Sequence, residues 1–514
     1  MNSRRGPFLS MTDRKSTAAD VARGAVIDIG SNSVRLVIYE GPSRCPIQVF
    51  NEKTLCGLGE RDRDTGRLQE ENMADALFTL ERFRLLLDAA DPDVLHVFAT
   101  SAVREAPNGQ DFLAEVEALG YSPLLVSGEE EAKLAAYGIL SGVPDILHME
   151  HGALAGDIGG GSLELSHIHK DIDGWVGERT SLPLGALRLY VDFEEDRAAA
   201  RKHIESEISK VDWLGQTGSD TLYVVGGAWR SLAKIAQAQA QYPIEILDRY
   251  VLTRKDAARL CQVVSKQHAE SLSSMPVVQR RRAPTLPYAA MVLEAVLDAA
   301  KVDRLEVVSS GVREGVLFAG LPQEVQRLDP LIEIARHLAT RFGSHLRPPA
   351  EELNQIIQPL FSSAGPTQKR WLRASCELSN FSAGLEPDER ASHAAKAIMA
   401  LPLKGLSHHG RIFLSAALAG RHGASEDELL EWLPFQVLPD EMRRDAQLLG
   451  LTLRFLSSLA PAGGPALKEG AFVPERGSLG FTLPASLLPL WGAGPAKRFE
   501  RIAAFLELEA VHPS

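Results

Sequence analysis

The sequence predicts a duplicated α/β fold, two similar lobes facing each other across a cleft, with an additional all-α domain at the C-terminus. Three observations predict it. A strand-turn-strand bearing an acidic residue and glycines returns after 129 residues, so that Asp28, Ile29, Gly30, Ser33 and Leu36 coincide with Asp157, Ile158, Gly159, Ser162 and Leu165. Short β-branched runs alternate with helical periodicity through both copies. From about residue 325 the strand-like runs vanish, and apolar residues recur with a helical period. The expected divisions are a disordered tail at 1–23, a first lobe at 24–145, a second lobe at 146–322 and the helical domain at 323–514.

The tail scatters Arg4, Arg5, Arg14, Lys15 and Arg23 among Ser, Thr and Ala. Its apolar stretch, Pro7-Phe8-Leu9, is too short for a secretory core, and Met11 is an alternative beginning. Two β-branched runs then flank Gly30-Ser31-Asn32-Ser33, which reads as strand, tight turn and strand. Met73, Leu77, Leu80, Phe83, Leu86 and Leu87 recur at three and four, which predicts a helix over 71–89. A strand at 95–100, a helix at 111–120, a strand at 123–126 and a helix from Glu129 complete the first lobe. The second opens with 154–166, continues with a strand at 221–225, Gly226-Gly227 and a helix from Trp229, and closes with a strand at 304–309 and a helix at 312–318. In the last domain, helical periodicity recurs at 331–343, 368–378, 391–400 and 411–420.

Composition bounds the function. The chain is 45% hydrophobic and 24% charged, as ordinary globular proteins are, and its formal charge of −12 argues against a surface built for nucleic acid. A local basic groove remains compatible with it. No apolar run approaches the roughly 18 residues of a membrane span. Cys45, Cys56, Cys261 and Cys376 lie far apart with no C-x-x-C pairing, which disfavours a disulfide framework or structural zinc and fits a reducing cytoplasm.

The turn Gly159-Gly160-Gly161-Ser162 carries the first chemical signal. Three consecutive glycines cost about 0.5 to 1 kcal/mol each relative to alanine, and close backbone approach to a ligand is a return on that cost. Converging N–H groups and a hydroxyl suit phosphate oxygens, although a lone glycine turn is equally a plain hairpin. Asp28 and Asp157 end apolar strands, where an unpaired carboxylate is expensive to bury. With Glu164 on the next strand they suit Mg²⁺ or another divalent cation that takes oxygen ligands; capping of the glycine amides is the alternative.

Six motifs in register resemble one family. They are Asp28-Ile-Gly-Ser-Asn-Ser, the segment Thr100 to Ala106, Ser127-Gly128-Glu129-Glu130-Glu131-Ala132, the segment Asp157 to Glu164, Val225-Gly226-Gly227, and Ser310-Gly311-Val312-Arg313-Glu314-Gly315. Over roughly 24–320 the chain resembles the exopolyphosphatase and guanosine pentaphosphate phosphohydrolase family, of the actin-like, ribonuclease H-like superfamily. The resemblance implies an exopolyphosphatase that removes terminal orthophosphate from inorganic polyphosphate with Mg²⁺. Hydrolysis of guanosine pentaphosphate is the alternative, then an actin-fold sugar or acetate kinase, then a non-catalytic sensor. A homodimer is also implied.

The resemblance assigns roles to residues whose types alone are ambiguous. Three acids opening a helix often serve only its dipole. The family places a water-activating base here, matching Glu131, with Glu130 second. Arg104, expected in a loop with Asn108 orienting it, contacts phosphate in the family, as a planar guanidinium suits. Gly30, Ser31, Asn32, Ser33, Gly159, Gly160, Gly161 and Ser162 fix the transferred phosphate, while Asp157, Glu164 and Asp28 hold the metal. Arg280, Arg281 and Arg282 read equally as a solvated loop or, with Gly226, Gly227 and Arg313, as contacts for the distal polyanion. Arg179 and Arg188 are further candidates, and Arg35 is equally an ordinary surface residue. The C-terminal domain resembles a degenerate HD-type domain: His393, His408, His409 and His422 are present, but Leu378-Ser379-Asn380 stands where the His-Asp pair is expected.

Overall fold

The computed structural model describes residues 23–513 apart from 63, 195 and 343–345. The expected tail therefore lies outside the described residues except for Arg23, which already begins the first strand. The chain divides into two compact units, one ending at Leu328 and one spanning Asp329–Ser514.

In the first unit, β1 (Arg23–Ile29), β2 (Ser33–Glu40), β3 (Ile47–Leu55), β4 (Val94–Ala99) and β5 (Pro123–Leu125) form one sheet in the order β3-β2-β1-β4-β5. The first three strands run antiparallel, and β4 and β5 continue parallel to β1. The second sheet contains β6 (Ala153–Ile158), β7 (Leu163–Ile168), β8 (Val176–Leu182), β9 (Thr221–Val225), β10 (Val251–Thr253) and β11 (Arg304–Val307). Its order, β10-β11-β9-β6-β7-β8, repeats the first arrangement and adds β10 as an antiparallel edge. The duplication read from the motifs is thus a duplication of topology. Register preserves it too, with Asp28 opposite Arg35 and Asp157 opposite Glu164.

Helices cover these sheets because their apolar positions share one face. Glu70–Ala90 buries Ala76, Leu80, Phe83 and Leu87 in the first core, where a fully buried Leu or Phe contributes roughly 1.5–3 kcal/mol. Two other helices exchange lobes. Gly128–Gly142 follows β5 but packs Ala136, Ile139 and Leu140 on the second sheet. Val312–Ala319 follows β11 but sets Val316 and Leu317 among Val26, Val37 and Phe98 of the first. They pack on each other at glycines: a side chain at Gly138 meets the Gly311 carbonyl, and one at Gly315 meets that of Leu134. A chain cut at 145/146 therefore assigns each crossing helix to the sheet it leaves.

The second unit starts later than expected, because residues up to Leu328 stay tied to the first. Gln326 Nε2 donates to Phe318 O at 2.9 Å, and Arg44 Nε donates to Leu328 O at 2.9 Å. Its helices include Pro330–Phe342, Pro366–Glu377, Arg390–Ala400 and His408–His422, all near the expected ranges. It is not all helical. β12 (Ala471–Glu475) and β13 (Ser478–Thr482) form a hairpin around Arg476-Gly477, and β14 (Glu509–Val511) adds in parallel. Gly477 takes φ +90°, open to glycine, and Phe472 and Phe481 pack on Phe455 and Phe499. No described helix is long and apolar enough to cross a membrane. All four cysteines are buried free thiols.

Candidate functional site

The two glycine turns close alike and meet. Gly30 N–H donates to Ser33 O at 3.0 Å, and Gly159 N–H donates to Ser162 O at 2.9 Å. A Cβ on Gly160 would stand 3.2 Å from Ser31 Cβ, and one on Gly161 would stand 2.6 Å from Ser101 Oγ. The close approach of one lobe to the other thus favours glycine here, a constraint separate from ligand binding. Ser31 Oγ and Ser101 Oγ share a 3.0 Å hydrogen bond across the base of this junction. Gly161 faces a side cavity with Gly59 and Arg61 rather than the main cleft.

The main cleft has a volume of about 680 Å³. Both turns line it, with Gly30, Ser31, Asn32 and Ser33 from one lobe and Gly159, Gly160 and Ser162 from the other. Its acids are Asp28, Asp157, Glu164 and Glu131, with Glu60 and Asp75 of the first lobe. Glu131 arrives there by helix phase. Ser127 Oγ accepts the Glu130 N–H at 3.2 Å and fixes the helix start, after which consecutive side chains diverge by about 100°. Glu131 turns inward and is 8% exposed. Glu130 does not line the cleft; its carboxylate points to Lys133 Nζ, 4.0 Å away.

Burial sets the proton affinities of these acids. It pushes Glu131 up to about 7, against Arg104 and with Asp157 and Asp28 adding repulsion. Asp157 rises to about 6, again through burial, with Arg230 and Arg313 opposing. Glu164 is held well above the carboxylate range by burial and by Glu131 and Asp157, although Ser181 Oγ donates to its Oε1 at 2.8 Å. Asp28 is engaged by Arg313 Nη1 at 2.9 Å. Burial works against the Arg313 charge, but Asp28 and Glu314 hold that guanidinium firmly ionised.

Several basic residues sit elsewhere than expected. Arg104 lies on a short helix, Ser101–Glu105, not in a loop. Its Nη1 donates to Val126 O at 2.7 Å and to Glu131 Oε2 at 3.2 Å, and it lines a second cavity behind Glu131 rather than the cleft. Asn108 does not orient it, because the Asn108 amide is spent on both backbone groups of Leu68. Arg281 and Arg282 line the cleft, whereas exposed Arg280 does not. Arg282 lies over Gly227, where any side chain would displace it. Gly226, at φ +99°, stands against Asp157, and Arg313 stands against Asp28, so both lie beside the acids. Arg188 is engaged by Glu105, and Arg179 Nη1 by Gly177 O at 3.2 Å.

Arg35 does face the cleft, and sequence reading missed Arg230 and Lys53 beside it. Desolvation, then Arg313 and Arg230, push Arg35 down to about 10. Desolvation, then Arg282, Arg281 and Arg35, lower Lys53 to about 8. Arg282 falls to about 10 for the same reasons, with Arg230 foremost among its neighbours. Crowded cations that repel one another are the electrostatic imprint of a polyanion site. Arg230 was detectable: a residue in the first helical turn after Gly226-Gly227 flanks the same opening as the glycines.

This constellation spans a match to known proteins. The family model for Ppx/GppA phosphatases covers residues 36–324. The chain belongs to the Ppx/GppA phosphatase family. That makes it a phosphatase-type hydrolase with the actin-like duplicated fold, and the family match takes in every site residue after Arg35. Exopolyphosphatase 1 of Mycobacterium tuberculosis is 28% identical over 319 residues, 59% of this chain and 89% of the relative. A Cytophaga hutchinsonii exopolyphosphatase structure superposes with a TM-score of 0.52 at 28% identity, covering 58% of this chain and 96% of that one. The Aquifex aeolicus Ppx/GppA structure gives 0.50 at 28% identity, with 58% and 97% covered. Retrograde regulation protein 2 of Saccharomyces cerevisiae is 25% identical over 82% of this chain and 76% of its own, a span that reaches into the second unit.

Among the described residues, no three His, Cys, Asp or Glu side chains form a preorganised metal cage. In the second unit His422 Nε2 bonds Phe381 O at 2.7 Å and His393 Nδ1 bonds Ser382 Oγ at 2.8 Å, so these imidazoles are already engaged.

Proposed function

We propose that this member of the family is an exopolyphosphatase, with Glu131 as the base that activates water. One observation carries the reading: a buried carboxylate with a pKa near 7 opens into a cleft that is also lined by Arg35, Lys53, Arg230, Arg281, Arg282 and Arg313. A base poised near neutrality takes a proton most effectively at working pH. The terminal phosphate lies against the turn residues that face the cleft, Ser31 to Ser33 from one lobe and Gly160 with Ser162 from the other, the Gly30 and Gly159 amides being closed within their own turns. Water oxygen attacks its phosphorus, Glu131 takes the proton, the bridging P–O bond breaks, and the shortened polymer leaves with the bridging oxygen. Arg35, Arg230 and Arg313 neutralise charge around the reacting phosphate, while Lys53, Arg281 and Arg282 hold the following phosphates. Arg104 keeps Glu131 aimed and favours its ionised form.

The acids also suit a divalent cation. Asp157, Glu164 and Glu131 offer oxygen only; Asp157 raises the pKa of Glu131, and both raise that of Glu164, repulsion that a hard cation relieves. Asp157 and Glu164 would hold it, Asp28 being committed to Arg313. Lacking a full cage, such an ion keeps water or substrate oxygens, as Mg²⁺ does. Once bound, it supplies charge neutralisation at the terminal phosphate.

The test is phosphate release from long-chain polyphosphate and from guanosine pentaphosphate in competition, resolved by ion chromatography. The reading expects faster turnover of the polymer. Turnover of the nucleotide with the polymer left intact would assign the alarmone instead.

A further inference from the structure

A polymer held in the main cleft blocks the way its own product would leave. If the shortened chain stays bound for the next cut, orthophosphate released at the closed end has the polymer in front of it. A second cavity, about 570 Å³ in volume, lies on the other side of the reacting residues. Ser162 lines both cavities. Between them stand two side-chain contacts: Arg104, which lines the second cavity, bonds Glu131 of the first, and Ser181 of the second bonds Glu164 of the first. The outer side is built from Ser127, Gly128 and Glu129, from Thr180 to Leu182 of β8 with the following Pro183, and from Glu105, whose charge is paired with Arg61 and Arg188; Ser127 and Glu129 are exposed there.

We propose that this second cavity is the exit for orthophosphate, an inference that rests on the exopolyphosphatase reading above. The Arg104–Glu131 and Ser181–Glu164 contacts are made between side chains, so rotation of Arg104 and Ser181 widens the passage there without moving either sheet. The Arg104 guanidinium offers a tetrahedral oxyanion its next handhold, and the hydroxyls of Ser127, Thr180 and Ser181 replace its water on the way out. Glu129 at the mouth repels the anion and discourages its return. The same route admits the next water behind the polymer.

Thr180→Trp narrows the passage from the strand side, and Glu129→Trp narrows it at an exposed position where folding tolerates the change. The expected result is a fall of about fivefold or more in steady-state turnover of long-chain polyphosphate by both variants. Single-turnover cleavage and turnover of tripolyphosphate stay at wild-type rates, because a short remnant clears the front of the cleft and phosphate follows it. Variants that match the wild type on long chains, or that slow both substrates equally, overturn the exit. A wild type releasing phosphate from neither substrate overturns the proposed function and the exit together, a result distinct from an active enzyme indifferent to both substitutions.

Discussion

Arg104→Gln shifts the pH at which the enzyme becomes active rather than merely weakening it. Arg104 Nη1 stands 3.2 Å from Glu131 Oε2 and is the leading influence opposing the rise caused by burial. An opposite charge at such range lowers a carboxyl pKa by about 1–3 units, so its loss moves Glu131 from about 7 to roughly 8–10. A base works only when ionised. At pH 7 the ionised fraction then drops from about one half to between about one in eleven and one in a thousand, roughly a 5- to 500-fold loss in kcat/KM. The assay is initial phosphate release from polyphosphate between about pH 5.5 and 10. The acid limb should move to alkaline pH with activity returning as pH rises, and Arg104→Lys should shift it less. A limb that stays near 7 in Arg104→Gln would refute the coupling of the two residues.

Three further outcomes follow from the same electrostatics. Glu131 has a folded pKa above its ordinary value, so it contributes most to stability below about pH 4, and that contribution disappears as pH rises through about 7. Without added cation, Glu131→Gln should therefore melt several degrees above the wild type at pH 8 and close to it at pH 4, a gap of a few kcal/mol at most by linkage; equal gaps at both pH values would dismiss the buried-acid account. Lys53, lowered to about 8, loses its charge above that pH, so KM for polyphosphate should climb there in the wild type and stay flat in Lys53→Arg, whose charge persists. Mg²⁺ should raise the thermal midpoint of the wild type at pH 8 and do so much less for Asp157→Asn, because a ligand of the native state stabilises with the logarithm of its concentration over Kd; identical shifts would remove Asp157 from the cation site.

How much was legible depends on whether the signal is local. Gly30 and Gly159 were readable because a turn is specified by four adjacent residues, and their repetition after 129 residues gave the two-lobe fold. The resemblance places Glu131 ahead of Glu130; which of the two faces the cleft depends on the helix start at Ser127, since one residue of slippage turns the side chain by about 100°. The crossing of Gly128–Gly142 and Val312–Ala319 to opposite sheets was hidden, because an apolar face does not name the sheet that it covers. Lys53 was hidden for a similar reason: alternation on β3 marks two faces without saying which one borders a cleft built from another lobe. The hairpin at Arg476-Gly477 did have a local signal, a turn between runs with Phe472, Leu479 and Phe481 at alternate positions, overlooked beside the dominant helical periodicity.

Single-turnover hydrolysis by Glu131→Ala, with polyphosphate binding measured on the same preparation, tests the central assignment most directly. Phosphate release should vanish at every pH while the polymer binds within about threefold of wild type, since the cationic wall is untouched. Release at an undiminished rate, or loss of binding with turnover retained, would contradict it.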